Sequence, residues 1–271
     1  MLPRKGVAGT LSSKLKFTIA ISNQKGGVGK TTTSINLGAC LAMSGLKTLV
    51  IDLDPQANAT SGLGLQIDSE YSIYRALMGE TGNGSIRSTG VDNLKMISSD
   101  INLIGAEIEL LSMENREFML KNVIDSIPDD FDFVIIDCPP SLGILTVNGL
   151  TAANSVIIPL QTEYYALEGL KQLMDTIERI RGSYNPSLQI EGVLFTMYDG
   201  RTTLSNQVVQ EVRNNYKSNI FKTVIPRNIR VSEAPSHGLP ITMYDAKSKG
   251  ADAYIDLARE LIAKHRDLLE R

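Results

Sequence analysis

The chain has 271 residues, 42% of them hydrophobic, and its 27 Lys or Arg against 30 Asp or Glu leave a formal net charge of −3. A chain of that size and apolar content can bury a large core, and no apolar run approaches the length of a membrane span, so a cytoplasmic protein with no membrane contact is expected. The slight acidic excess by itself argues against a nucleic-acid partner, and the two cysteines, Cys40 and Cys138, stand outside any C-x-x-C pair, which points to small buried apolar residues rather than a disulfide or metal site.

Residues 1–16 mix Gly, Ser, Lys and Arg without periodicity and are expected to form a flexible basic leader. The run at 17–22 (FTIAIS) then predicts a short buried strand. It leads into Lys25-Gly26-Gly27-Val28-Gly29-Lys30-Thr31-Thr32. An ordinary phosphate-binding loop asks for G-x-x-x-x-G-K-[ST], but Gln24 stands at the first glycine position, and K-G-G-x-G-K-[ST] replaces it. Gly26, Gly27 and Gly29 let the backbone turn its N–H groups inward on a phosphate, Lys30 can reach the outer phosphates, and the Thr31 hydroxyl can hold Mg²⁺. Apolar spacing over 32–44 predicts a helix, which Gly45 stops, so the phosphates would lie at a helix N-terminus. The loop holds a second lysine, Lys25, before the paired glycines. From there it can turn away from its own nucleotide and cross a dimer interface to the partner's phosphates, where a cation supplied in trans is worth roughly 10³ to 10⁵ in rate.

Further apolar runs at 48–53, 94–97, 131–136, 155–160 and 191–197 predict strands, most of them buried on both faces. Helical stretches at 163–181, 204–216 and 251–269 separate or follow them. The alternation predicts an α/β fold with a doubly wound, mostly parallel sheet and helices on both faces, in a single domain over 17–271. The Gly-rich segment 79–90 is the expected mobile loop, with Gly82-Asn83-Gly84 no more than a turn signal. In such a sheet ligands collect beyond the carboxyl ends of the strands, and two strands end there in acids, at Asp52-Leu53-Asp54-Pro55 and at Asp137-Cys138-Pro139-Pro140. Asp137 fits an aspartate that orders Mg²⁺ through water, and Asp54 is placed to hold the attacking water; either could instead cap the turn that follows. His237 and His265 carry no catalytic signal.

Charge is unevenly spread. Residues 1–30 hold six Lys or Arg and no acid, and residues 201–250 hold eight Lys or Arg against three acids. Taken alone, that local excess of five is an ordinary solvated face.

Taken together, SNQKGGVGKTTTSINLGACLA at 22–42, DLDPQANATSGLG at 52–64, FVIIDCPPSLG at 133–143, PLQTEYYALEGL at 159–170 and PRNIRVSEAPSHGLPI at 226–241 resemble the ParA/Soj partition ATPases of the deviant Walker-A class, over nearly everything from residue 17 to about 261. The resemblance implies a P-loop hydrolase of ATP with Mg²⁺, slow and partner-stimulated. It implies an ATP-sandwich homodimer with Lys25 as the signature lysine, Asp54 in hydrolysis and Asp137 in a switch that senses the γ-phosphate. It sets the adenine against the segment matching Pro226 to Asn228. Once ATP has made the dimer, non-specific DNA binding through basic residues matching Arg201 and Arg230 is implied, hence nucleoid association. The implied partner is a ParB/Spo0J-like centromere-binding protein whose basic tail stimulates hydrolysis. Three other readings stand beside it. A nitrogenase-type iron protein would need converging cysteines, which Cys40, inside the helix after the loop, does not offer. A MinD-like membrane ATPase would need a strongly apolar C-terminal face, and residues 251–271 carry charges of both signs. A module that ATP merely switches, with incidental turnover, uses the same parts.

Overall fold

The computed structural model describes residues 16–80, 85–127, 131–163, 166–216 and 219–269. Residues 1–15 of the expected leader, Gly82 to Gly84 of the expected mobile loop, and Tyr164 and Tyr165 of the fourth motif lie outside them. In chain order the elements are β1 (Phe17–Ile21), α1 (Lys30–Met43), β2 (Thr48–Asp52), α2 (Asn58–Gly62), α3 (Ile73–Leu77), β3 (Ile86–Ser88), β4 (Leu94–Ile97), α4 (Leu103–Leu110), α5 (Met119–Ser126) and β5 (Phe133–Asp137). There follow α6 (Ile144–Ala152), β6 (Ser155–Gln161), α7 (Ala166–Ser183), β7 (Gln189–Thr196), α8 (Thr203–Asn215), α9 (Ile229–Glu233), α10 (Ile241–Tyr244), α11 (Lys249–Lys264) and α12 (Arg266–Leu269).

Among the described residues seven strands form one sheet in the order β3-β4-β2-β5-β1-β6-β7. Every pairing is parallel except that of the edge strand β3 with β4. Central strands β2 and β5 are buried at every residue, which is why their sequences are continuous Val/Ile/Leu runs rather than alternating ones. Leu49, Ile51, Val134 and Ile136 point to one core with residues of α4 to α8. Val50, Phe133 and Ile135 point to the other, with residues of α1 and α11. Helix α1 lies close on the sheet because Gly38 has no side chain there: a Cβ would come within 2.8 Å of Val50 Cγ2.

Three expectations needed adjusting. The stretch read as one helix over 251–269 is two, α11 and α12, separated at His265. That residue leaves the helical path to pack its ring 4.1 Å from Phe17 and to meet Glu191. Of the helix expected from 163, the described part is α7 (Ala166–Ser183), and Glu163 itself is not helical. Part of the expected mobile loop, residues 86–88, is ordered as β3, because it pairs antiparallel with Lys95, Met96 and Ile97 of β4, whose backbone groups would otherwise stand at an open edge. Cys40 and Cys138 are both buried and free, as expected.

Candidate nucleotide site

The loop between β1 and α1 is held from outside at both ends. Ser22 N–H donates to Ile157 O at 3.1 Å, prolonging the β1–β6 pairing. Buried Asn23 then donates from Nδ2 to Pro159 O at 2.7 Å and accepts Lys25 N–H on Oδ1 at 3.0 Å. At the far end Thr196 Oγ1, at the tip of β7, donates to Val28 O at 2.8 Å. Gly27 and Gly29 take φ of 73° and 88°, values that side-chain-bearing residues avoid. Gly29 is the N-cap of α1, and no side chain caps that helix and no acid stands in its first turn. The first-turn amides around Thr31 and Thr32 therefore face out with the positive end of the helix dipole, an arrangement suited to an anion. Lys30 is buried beside them, its Nζ donating to Lys25 O at 3.2 Å. Burial pushes its pKa down, opposed by the nearby Asp137, Cys138 and Asp54.

Beyond the loop stand the aspartates. Asp52 and Asp137 end β2 and β5 in direct register, and both are fully buried. Burial raises the pKa of each carboxyl; the charge of Asp52 raises that of Asp137 further, and the charge of Asp54 raises both. Asp52 is spent on structure: Oδ2 accepts both the N–H and the Oγ1 hydroxyl of Thr60, each at 2.8 Å. Asp137 Oδ1 accepts Ser34 Oγ at 2.8 Å, while its buried Oδ2, near the Thr31 hydroxyl, has no hydrogen-bond partner of normal geometry among the described residues. A buried carboxylate oxygen left open beside the Thr31 hydroxyl fits a site for a hydrated divalent cation. Asp54 does cap its turn, accepting Gln56 N–H on Oδ1 at 3.0 Å. It also lines the cavity, so capping does not exhaust the side chain.

That cavity, of about 750 Å³, is bounded by Gly26, Gly27, Gly29, Lys30, Thr31, Thr32, Asp54, Thr196, Pro226 and Asn228. One hollow thus brings together the loop, Asp54 just past the end of β2, and the 226–228 segment. A larger hollow of about 1100 Å³ along α11 contains none of the loop's residues. Pro226 and Arg227 pair with the Tyr198 backbone just past β7, which fixes the 226–228 wall. Asn228 Oδ1 is engaged in capping α9 through Arg230 N–H at 2.8 Å.

Five expected site residues lie outside the hollow: Val28 and Asp137, both buried behind its wall, and Lys25, Arg201 and Arg230. Lys25 turns away from it, its Nζ 2.6 Å from Glu163 Oε2. Arg201 is held by Asp199 through two guanidinium hydrogen bonds, and Arg230 pairs with Glu233 at 3.0 Å and Asp245 at 3.6 Å. Sequence reasoning missed Asn23, Thr196, Ser34 and Glu163. Ser34 could have been found, one helical turn after Lys30 and so on its face; Thr196, ending β7, and Glu163, just past β6, reach the loop from far along the chain, and nothing local signals them.

Comparison with known proteins bears on the family and the fold. A family model described as an AAA domain matches residues 16–190. The chain is 54% identical over 247 residues to the sporulation initiation inhibitor protein Soj of Bacillus subtilis (strain 168), covering 90% of this chain and 98% of that one. It is 52% identical over 248 residues to the chromosome-partitioning ATPase Soj of Treponema pallidum (strain Nichols), covering 91% and 97%. Among solved structures, cobyrinic acid a,c-diamide synthase from Mycobacterium smegmatis with bound ATP analog and magnesium superposes with a TM-score of 0.82 at 39% identity, over 93% of this chain and 96% of that one.

Proposed function

The chain belongs to the ParA/Soj family of partitioning ATPases, and from that premise we propose that it is a switch in which ATP makes a homodimer, the dimer binds DNA without sequence preference, and a ParB-type partner resets it by stimulating slow hydrolysis. ATP and Mg²⁺ are the ligands the site takes. The synthase likeness, at lower identity, bears on those ligands alone, since its ATP analog and magnesium are bound on the same fold.

In this reading the loop amides at Gly26, Gly27, Val28 and Gly29 and the first-turn amides of α1 hold the phosphates, with Lys30 over the outer ones. Thr31 would hold Mg²⁺ directly and Asp137 through water. Bound there, the ion neutralises charge on the phosphates. Asp54 orients the attacking water, and the 226–228 segment, Pro226 and Asn228 included, backs the adenine. Lys25 leaves Glu163 for the partner's phosphates. Arg201 and Arg230 present cations to DNA, and the doubled basic stretch of the dimer draws a phosphate backbone that an acidic monomer would not. Nucleoid association follows from that step.

The observation that supports the reading best is the position of Lys25. It sits on the phosphate loop yet outside its own cavity, its side chain tied, among the described residues, only by a half-exposed ion pair. A MinD-like role fits less well, because Tyr254, Leu257 and Leu261 of α11 are spent on the core. Among the described residues no helix is long and apolar enough to cross a membrane. Sedimentation of the purified chain tests the proposal: a dimer with Mg-ATP and a monomer with ADP are expected, and one species in both conditions contradicts it.

A further inference from the structure

Helix α4 is apolar on two sides, and the fold covers only one of them. Leu103, Ala106 and Leu110 enter the core. On the other side Ile104 and Ile108 are 48% and 72% exposed, and the flanking Ile101 and Leu111 are 62% and 57% exposed. Positions 101, 104, 108 and 111 share one side of a helical path, so these side chains form a continuous open stripe rather than scattered exposures. At its N-terminal end the stripe runs into a cavity of about 390 Å³ walled by Ile67, Ile101 and the Pro55-Gln56-Ala57 turn that follows Asp54. Alongside, α4 meets the loop that follows Asp137, where a Cβ on Gly143 would come within 2.9 Å of Glu107 Oε1 and Leu142 is exposed.

Charge selects the occupant. Residues 96–115 contain Asp100, Glu107, Glu109 and Glu114 and no Lys or Arg. Arg116, just beyond, is engaged by Glu117 and by the Leu111 carbonyl. Two copies of this face set against each other would oppose like charges, which is costly across an interface. A basic amphipathic segment matches it: apolar side chains along the stripe, one anchored in the small cavity, and Lys or Arg over the glutamates.

We propose that α4 and the cavity at its start are the docking groove for a basic amphipathic segment of a partner protein. Docking there bears on the nucleotide because the groove is bounded by the turn after Asp54 and the loop after Asp137, the segments on either side of the phosphate site. The proposal rests on the reading of the chain as a switch reset by a partner.

Fluorescence anisotropy with a labelled helical peptide of Leu, Ala and Lys, leucines on one face, tests it on the full chain. Saturable binding to the wild type is expected, and weakening by about tenfold or more in the Ile104→Ser, Ile108→Ser double variant and in the Glu107→Gln, Glu114→Gln double variant. The same peptide with Glu in place of Lys should not bind. ATP hydrolysis without peptide should be unchanged in the isoleucine variant, whose altered side chains point away from the core. Undiminished peptide binding by either double variant, or equal binding of the acidic peptide, overturns the groove. Loss of ATP-dependent dimerisation in the isoleucine variant overturns it too, by assigning the face to a second copy. A wild type that hydrolyses ATP but binds no peptide removes the groove alone, whereas peptide binding without any ATP hydrolysis removes the switch reading and leaves the groove.

Discussion

Lys25 and Lys30 belong to one loop, yet the fold gives them opposite surroundings. Lys30 is buried among Asp54, Asp137 and the first turn of α1, so its charge is committed to the cavity. Lys25 is half-buried and, among the described residues, held by one ion pair, a contact worth about 0 to 1 kcal/mol at such a surface and therefore cheap to exchange for a phosphate. Lys25→Ala should thus keep ATP binding by a single protomer while losing ATP-dependent dimerisation and partner-stimulated turnover, as nucleotide titration and sedimentation would report. A variant that still dimerises and hydrolyses at wild-type rates would refute the trans role. Asp54 has two duties, one oxygen on the turn and the rest of the carboxylate at the cavity. Asp54→Ala should lower turnover by roughly 10² to 10⁴ through loss of water positioning. The lost turn cap should cost only about 1 kcal/mol, visible as a modest drop in Tm with ATP binding retained.

Helix α11 and strand β7 are coupled by a buried acid that has nothing to do with the nucleotide. Glu191 of β7 meets Lys264 Nζ at 2.7 Å and His265 Nε2 at 3.1 Å, where α11 gives way to α12. Burial alone would raise the pKa of this carboxyl, but hydrogen bonds from His265 and Lys264 hold it down at about 2. A carboxyl depressed in the folded state adds stability above its unfolded pKa and loses it as pH falls through the folded value. Here that window runs from about 4.5 down to about 2. Glu191→Gln should therefore lower stability near neutral pH by on the order of 3 kcal/mol and flatten the acid limb of Tm against pH inside that window. An unchanged acid limb would mean the ion pair is not coupled to folding. The same junction marks what was legible in the sequence. Loop, α1 and the aspartate-ended strands could be read because glycine placement, helix periodicity and Val/Ile runs are local signals. The break at His265 could not, since it is decided by Phe17 and Glu191, far away in the chain, and the three-residue β3 could not, since it owes its order to backbone pairing with β4 rather than to an apolar run of its own.

Across the whole molecule, the basic stretch is less bare than its composition suggests. Asp199 lies just outside the 201–250 count and neutralises Arg201, while Glu233 and Asp245 flank Arg230. One protomer therefore presents weak net cationic character, and appreciable affinity for DNA should require two such faces side by side. Arg230→Ala should weaken DNA binding uniformly across sequences and reduce the salt slope by about 1 per protomer, with ATP binding intact; equal affinity at low and high salt would exclude a phosphate contact there. The same balance of charges carries the central claim, that nucleotide state is converted through dimerisation into DNA binding. The most direct measurement is affinity for a random-sequence DNA duplex with ATP, with ADP and without nucleotide. Binding with ATP alone, lost in Lys25→Ala, is the result expected, and equal binding in all three conditions would contradict the account.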